Sequence, residues 1–243
     1  MGLEICTNPL NKASFYFLEG YRDDGAFNTK FCAPTIHRKT TCFSSINRYP
    51  EQTEHIRNLM QARTNTPLSV LNIGVAQGQE PLTHINSAFE LAKNTGKKIS
   101  NFIDITTVDI LREPPQLAYQ SSVFPREVIG HLEKVYNPAS GKSFWGTPIE
   151  KIAETFLKSG KKSDVILFNN VIQHMSPKNE PSVHNFLEKL VEMVSPKGTI
   201  CFTCEKNAIF RGEVPFARVK KMLGILKSKG FLKIASGIFT RRI

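Results

Sequence analysis

The chain has 243 residues and a mass of 27.3 kDa, which suits one large α/β domain better than two small ones. Hydrophobic residues make up 40% and charged residues 22%, and no apolar run approaches the ~20 residues that a membrane-spanning helix needs. The net charge of +11 is typical either of a protein with acidic partners, such as nucleic acid, an anionic membrane or an acidic protein patch, or of a surface kept solvated by scattered lysines.

The first 38 residues predict an irregular N-terminal arm, and residues 39–243 predict a single folded domain. Residues 1–6 lack the basic and apolar regions of a signal peptide, so we expect a cytoplasmic protein. Residues 1–35 are rich in Gly, Asn, Asp and aromatic side chains and show weak periodicity. One short hairpin is the most regular structure that this arm predicts.

Helical and strand patterns alternate along the rest of the chain. Residues 50–60 predict a helix with Pro50 in its first turn. An apolar, β-branched run at 68–73 predicts a strand, apolar residues at helical spacing predict a helix at 81–93, and 99–108 predicts a second strand. Further helices are predicted at 124–136, 149–158, 182–194 and 214–229, and further strands near 144–145 and at 164–168, 199–204, 231–235 and 238–241.

This alternation indicates right-handed crossovers and a mainly parallel sheet. The last two strands meet at Ser236 and Gly237, which leaves no room for a helix between them, so they must form an antiparallel hairpin. The predicted fold class is therefore α/β: a doubly wound, mostly parallel, seven-stranded sheet that ends in an antiparallel hairpin.

Two cysteines, Cys201 and Cys204, have the C-x-x-C spacing that can indicate a zinc or redox site. They fall in a predicted buried strand, where residues three apart point to opposite faces of the sheet. Two ligands of one tetrahedral ion cannot be arranged in this way, so we predict small core residues and no metal site.

The strongest candidate site follows the strand at 68–73. Gly74 and Gly78 lie in the loop after it, where glycine lets the chain turn sharply and lets a ligand approach the backbone. Glu80 at the loop exit would repel phosphate and attract a cationic group, such as the ammonium of a methionine moiety. Asp109 directly follows the second strand, where α/β folds place a carboxylate on ribose hydroxyls. Each residue alone is also typical of a turn, and their order together favours a nucleoside ligand.

A second polar group, Asn169, Asn170 and His174, follows the apolar strand at 164–168. Asparagine amides offer both donors and acceptors, which suits them to orienting a substrate or a cofactor edge. His174 is the candidate general base, and it is otherwise a surface or packing residue.

These segments together resemble the chemotaxis-receptor glutamate methyltransferase (CheR) family of class I S-adenosylmethionine-dependent methyltransferases. The family motif T-x-F-F-R is similar to TTCFS at 40–44, and its G-E-E-P is similar to GQEP at 78–81. Its acidic residue after the second strand corresponds to Asp109, and its D-x-I-x-C-R-N-V resembles DVILFNNV at 164–171. The resemblance spans about residues 38–204.

The resemblance implies S-adenosylmethionine as the cofactor and a protein side chain as the methyl acceptor, and the net charge of +11 favours an acidic protein as the partner. The residues it places beside the cofactor, in addition to Gly74 and Gly78, are Thr40, Glu80, Asp109, Thr147, Pro148, Phe168 and Asn169. On the substrate side we expect Phe43, Ser44 and Asn170, and we expect His174 to be catalytic.

Three positions depart from the family pattern. Ser44 and Asn169 stand where the family has arginines, and His174 stands where it has a tyrosine. A carboxylate acceptor needs no base, whereas a hydroxyl or a protonated amine does, so His174 favours an oxygen or nitrogen acceptor other than receptor glutamate. A methyltransferase of small molecules or RNA and a non-catalytic binding module of the same fold remain the alternatives.

Overall fold

A seven-stranded sheet with helices on both faces forms the body of the chain. The computed structural model describes residues 5–8, 13–16, 47–63, 65–75, 78–109, 124–146, 149–172, 175, 180–204 and 216–242. Within these residues, a separate antiparallel pair of strands, β1 (Ile5–Asn8) and β2 (Ala13–Tyr16), forms the short hairpin predicted for the N-terminal arm.

The strands of the main sheet lie in the order β5-β4-β3-β6-β7-β9-β8. Their bounds are β3 Leu68–Ile73, β4 Ile103–Asp109, β5 Ser143–Trp145, β6 Ser163–Asn169, β7 Val194–Thr203, β8 Phe231–Ala235 and β9 Ile238–Arg241. Strand β9 runs antiparallel to both of its neighbours, and the other six strands share one direction. The predicted doubly wound sheet with a terminal hairpin is confirmed.

Six α-helices cover the two faces of this sheet in the described residues. They are α1 Pro50–Gln61, α2 Gln79–Thr95, α3 Arg126–Tyr136, α4 Ile149–Lys158, α5 Glu180–Glu192 and α6 Phe216–Ser228. The first three contribute to one hydrophobic core and the last three to another, on the opposite face. We call these the α1–α3 face and the α4–α6 face. None of the helices in the described residues is long and apolar enough to cross a membrane.

Several boundaries differ from the predicted ones, among them the start of β7 at Val194 instead of residue 199, and three of the differences have a local cause. Residues 99–101 form a turn of 3-10 helix, because the Asn101 side chain accepts a hydrogen bond from the Lys98 backbone N–H and so competes with strand pairing. Helix α2 begins at Gln79, because Pro81 is tolerated in a first turn. Helix α5 ends before Val194, where β7 already pairs with Ser163 of β6.

The two cysteines of the C-x-x-C spacing lie on opposite sides of the sheet, as predicted. Cys201 belongs to the core of the α1–α3 face, and Cys204 packs against the core of the α4–α6 face. Both are free thiols, and no cluster of potential metal ligands occurs in the described part of the chain.

Asp164 holds the amino-terminal edge of the sheet together. Its carboxylate accepts hydrogen bonds from the Ser69 backbone N–H (3.0 Å) and the Ser195 hydroxyl (3.1 Å), and it pairs with Arg63 at 2.8 Å. This edge is opposite to the carboxyl ends of the strands, where the candidate ligand residues lie. Asp164, which is part of the DVILFNNV motif, therefore has a structural role.

We expect Asp164→Ala to lower the free energy of unfolding by about 2 kcal/mol, because a half-buried N–H and a guanidinium lose their acceptor. The matched control is Asp104→Ala, which removes an ion pair to Lys142 in which both side chains are 45% exposed, and it should cost about 0.5 kcal/mol or less. Urea unfolding of the two variants measures both values. Equal losses would contradict the structural role of Asp164.

Candidate functional site

Polar side chains end four adjacent strands on the α1–α3 face. They are Asn72 of β3, Asp109 of β4, Asn169 of β6 and Thr203 of β7. Side chains alternate along a strand, and residues two or four positions earlier on each of these strands belong to the core of the α1–α3 face. The four side chains therefore share one face at the carboxyl edge, where ligands of open α/β sheets bind.

Glu80 lies in the first turn of α2, directly above this polar row. Gly78, with φ of 81°, ends the loop and allows α2 to begin there. The Glu80 carboxylate accepts one hydrogen bond from the Asn72 amide (2.9 Å) and one from the Asn169 amide (2.6 Å). The start of α2 is thereby fixed to both β3 and β6.

Burial raises the pKa of the Glu80 carboxyl, and the two amide hydrogen bonds and the charge of Arg48 act in the opposite direction. Ionisation of Glu80 therefore reduces stability as the pH rises through the interval between its ordinary pKa and the raised one. A carboxylate held in a fixed position at this cost is suited to bind a cation.

Asn169 is the centre of a buried network that the sequence patterns did not predict. Its amide group donates to Gln52 Oε1 (2.7 Å), and its Oδ1 accepts from Gln52 Nε2 (3.2 Å) and from the Thr203 hydroxyl (3.0 Å). Gln52 Nε2 also lies 3.4 Å from the Gly237 carbonyl oxygen. The sequence does contain one indication of this network. Gln52 lies on the same helical stripe as Ile56 and Met60, which is the buried stripe of α1.

The loop after β3 passes very close to the segment that follows β6. Gly74 has a φ of 78°, and a Cβ atom at this position would lie 2.5 Å from Val171 Cγ2. Glycine is therefore required here by both the backbone conformation and the close approach. The two loops on which the candidate residues lie are packed against each other at this point.

Asp109 lies at the other end of the polar row. It is 5% exposed, and its charge adds to the effect of burial in raising the pKa of Tyr136. Trp145 is its register partner on β5, and the rings of Tyr136 and Trp145 meet edge to face at 5.1 Å. Within the described residues, neither the Tyr136 hydroxyl nor the Trp145 indole N–H has a hydrogen-bond partner. Two unsatisfied donors beside a carboxylate fit a polar ligand edge.

Two predicted site residues, Phe168 and Asn170, do not point toward the polar side chains at the carboxyl edge of the α1–α3 face. Phe168 is completely buried in the core of the α4–α6 face, where it packs on Phe186 and Phe202, so its side chain points away from Glu80. Asn170, with φ of 55°, donates its amide to the Tyr49 hydroxyl at 2.6 Å. It is thus tied to the residue that precedes α1.

Several predicted site residues lie outside the described part of the chain, and their roles stay predictions. They are Thr40, Phe43, Ser44, Thr147, Pro148 and His174. The described residues bring together Glu80, Asn169 and Asp109 on one face, with Gly74 and Gly78 in the adjoining loop.

No protein family and no curated protein sequence matches the chain. Solved structures resemble it at low identity. One is the N-methyltransferase NodS from Bradyrhizobium japonicum WM9 in complex with S-adenosyl-l-homocysteine, at 12% identity and a TM-score of 0.44, with 82% of this chain and 90% of NodS covered. Another is a putative SAM-dependent methyltransferase from Streptococcus mutans, at 10% identity and a TM-score of 0.46, with 84% of this chain and 51% of that chain covered.

A third is the plantazolicin methyltransferase BpumL, in complex with a monoazolic desmethylPZN analog and SAH, at 20% identity and a TM-score of 0.37; the alignment covers 73% of this chain and 55% of BpumL. The strand order and the antiparallel β9 identify the architecture: the chain has the Rossmann-like α/β fold of class I methyltransferases.

Proposed function

We propose that the chain is an S-adenosylmethionine-dependent methyltransferase. The observation that carries the proposal is the placement of two carboxylates at the carboxyl edge of the α1–α3 face: Asp109 ends β4, and Glu80, in the first turn of α2, is positioned by amides of β3 and β6. A desolvated carboxylate suits the ammonium of the methionine moiety, and a buried carboxylate after the second strand of the parallel core suits the ribose hydroxyls.

Three of the buried side-chain polar atoms that lack a hydrogen-bond partner in the described residues agree with this ligand. Asn72 Oδ1 is buried beside Glu80 and has no partner there, so it can accept a further hydrogen bond from an ammonium. At the other end, the Tyr136 hydroxyl and the Trp145 N–H can donate to the ring or the ribose of a nucleoside. The site therefore offers two hydrogen-bond acceptors, the Glu80 carboxylate and Asn72 Oδ1, to the cationic end of the ligand. It offers two donors and the Asp109 carboxylate to the nucleoside end.

The cofactor supplies an activated methyl group on its sulfonium. Transfer of that methyl group to an acceptor would leave S-adenosylhomocysteine as the product. The contribution of the protein is mainly to orient the reactants, which can be worth about 7–11 kcal/mol. Glu80 and Asp109 would hold the two ends of the cofactor, and we propose His174 as the base for an acceptor that must lose a proton.

A protein side chain is the acceptor that we propose, on the strength of the motifs at 40–44, 78–81 and 164–171. Small molecules and RNA are the alternative acceptors. Transfer of a tritiated methyl group into a cell lysate, followed by fractionation into protein, RNA and small molecules, distinguishes them. Label in the protein fraction supports the proposed acceptor, and label confined to another fraction replaces it.

Calorimetry with S-adenosylmethionine and S-adenosylhomocysteine tests the proposed function directly. We expect the chain to bind both, because Glu80 and Asp109 contact groups that the two molecules share. A chain that binds neither would be a scaffold of this fold without its function. A chain that binds both, yet transfers no methyl group to any lysate fraction, would be a non-catalytic binding module.

A further inference from the structure

An open groove lies between α1 and the β8–β9 hairpin, separate from the polar row of the candidate site. Its volume is about 500 Å³, and its lining includes Glu51, Glu54, His55, Ile234, Ala235 and Ile238. Gln52, on the buried side of α1, reaches the Asn169 network, whereas Glu51 and Glu54 are exposed, so the groove lies on the outer side of this helix. No step of the proposed methyl transfer uses it.

The floor of the groove belongs to an edge strand. β8 is the outermost strand of the sheet, and in the described residues it pairs only with β9, in a register that shifts between Lys233 and Ala235. Ile234 is 53% exposed there, and Leu232, two residues earlier, is 39% exposed. An edge strand presents a row of unpaired backbone N–H and C=O groups to which an extended segment can add.

The wall of the groove is acidic in a chain whose net charge is +11. Glu51 and Glu54, three residues apart on α1, are both exposed, and the described residues of the lining include no lysine or arginine. Burial lowers the pKa of His55, whose Nε2 lies 3.3 Å from Thr199 Oγ1, so this side chain adds no charge at neutral pH. The groove is complementary to a cationic partner.

A second copy of the chain fits this edge poorly. Two β8 strands related by a twofold axis through the middle of the segment Phe231–Ala235 would place Lys233 directly opposite its own copy. Like charges directly opposite each other destabilise an antiparallel pair, and an edge lysine is a common device against such pairing. This register of self-pairing is therefore unfavourable, whereas a different polypeptide with an uncharged residue opposite Lys233 avoids the repulsion.

We propose that this groove binds an extended cationic segment of a partner protein, which adds beside β8 as an eighth strand of the sheet. Arginine or lysine side chains on alternate residues would lay their aliphatic stems over Ile234 and Ile238 and reach Glu51 and Glu54 with their charged ends. Backbone pairing supplies affinity, and the alternation supplies specificity. This binding does not depend on the cofactor.

The test uses the full chain and two fluorescein-labelled peptides of equal composition, Thr-Arg-Thr-Arg-Thr-Arg-Thr and Thr-Thr-Arg-Arg-Arg-Thr-Thr, with binding measured by fluorescence anisotropy. Only the first places its arginines on one face of a strand. We expect it to bind at least about fivefold more tightly than the second. The double variant Glu51→Gln/Glu54→Gln should weaken its binding about tenfold, as expected for two exposed charge pairs.

The matched control is Glu127→Gln/Glu133→Gln, which removes two exposed carboxylates from α3 and should change the affinity less than about twofold, since screened distant charges contribute little. Three outcomes overturn the proposal: equal affinity for the two peptides, equal weakening in the two double variants, or no binding of the alternating peptide at about 1 mM, an affinity that is weak for any specific site. Cofactor calorimetry on the same samples reports separately on the proposed function.

Discussion

Glu80→Gln should weaken the binding of S-adenosylmethionine about 100-fold, a loss of roughly 3 kcal/mol, without lowering the free energy of unfolding. The affinity falls because the neutral amide no longer attracts the ammonium of the ligand. The fold is spared because the substitution keeps the shape of the side chain. Asn72 Oδ1, which has no partner in the described residues, can rotate to accept the new N–H, while Asn169 keeps its acceptor.

Calorimetry and thermal unfolding of the same sample measure the two effects. Glu127→Gln is the control, because it removes an exposed carboxylate from the first turn of α3: it should leave the cofactor affinity unchanged and cost less than about 1 kcal/mol of stability. If Glu80→Gln bound the cofactor within about threefold of the parent chain, a difference below 1 kcal/mol, the assignment of Glu80 to the ammonium would be wrong.

The pH dependence provides a second measurement on Glu80. Burial raises the pKa of this carboxyl above its ordinary value, so acidification protonates it earlier than an exposed glutamate. Cofactor affinity should fall as the pH drops through the raised pKa, and in the same interval the unliganded fold should gain stability, because the buried charge is removed. In Glu80→Gln, the contribution of this group to both trends disappears.

Local patterns in the sequence were sufficient to predict most of the fold. The apolar runs at 68–73 and 164–168, with helical spacing between and after them, required a mainly parallel sheet, and the short connection at Ser236 and Gly237 required a hairpin. The boundaries that were missed depend on side-chain interactions, such as the hydrogen bond from the Lys98 N–H to Asn101. Periodicity contains no information on such bonds.

The candidate site was only partly predictable, because its contacts join distant parts of the chain. Glu80 and Asp109 could be found from their places after two strands. Gln52, in contrast, meets Asn169 across 117 positions in sequence, and no local pattern indicates that contact. Phe168 could have been separated from Asn169 by the same rule that separated the two cysteines, because neighbouring residues on a strand face opposite sides.

The Asn169 network connects the candidate site to the hairpin turn, and this connection leads to the second prediction of large effect. Gly237 has a φ of 67°, and its carbonyl oxygen accepts a hydrogen bond from the Phe202 backbone N–H at 2.8 Å. A Cβ atom at position 237 would lie 2.8 Å from Thr203 Cγ2, 2.9 Å from Gln52 Nε2 and 3.0 Å from the Phe202 carbonyl oxygen. At least one of these contacts is with backbone, which cannot move aside.

Gly237→Ala should therefore lower the free energy of unfolding by about 3 kcal/mol, which combines the strain of a left-handed backbone with overpacking. For a chain of this length, the corresponding fall in Tm is about 9 °C. Displacement of Gln52 should also loosen Asn169 and weaken cofactor binding about tenfold, the effect of about 1.4 kcal/mol. Thermal unfolding and calorimetry on one preparation give both values.

Gly96→Ala separates the strain from the clash. Gly96 has nearly the same φ, 66°, but no atom lies within 4 Å of the position that its Cβ would occupy. The substitution should lower the free energy of unfolding by about 1 kcal/mol, which is the strain of the left-handed backbone alone, and it should leave the cofactor affinity unchanged. If the two alanine variants lost equal stability and bound the cofactor equally well, the hairpin would not be coupled to Glu80. Small local shifts would then relieve the clash at position 237, and Gln52 and Asn169 would keep their positions.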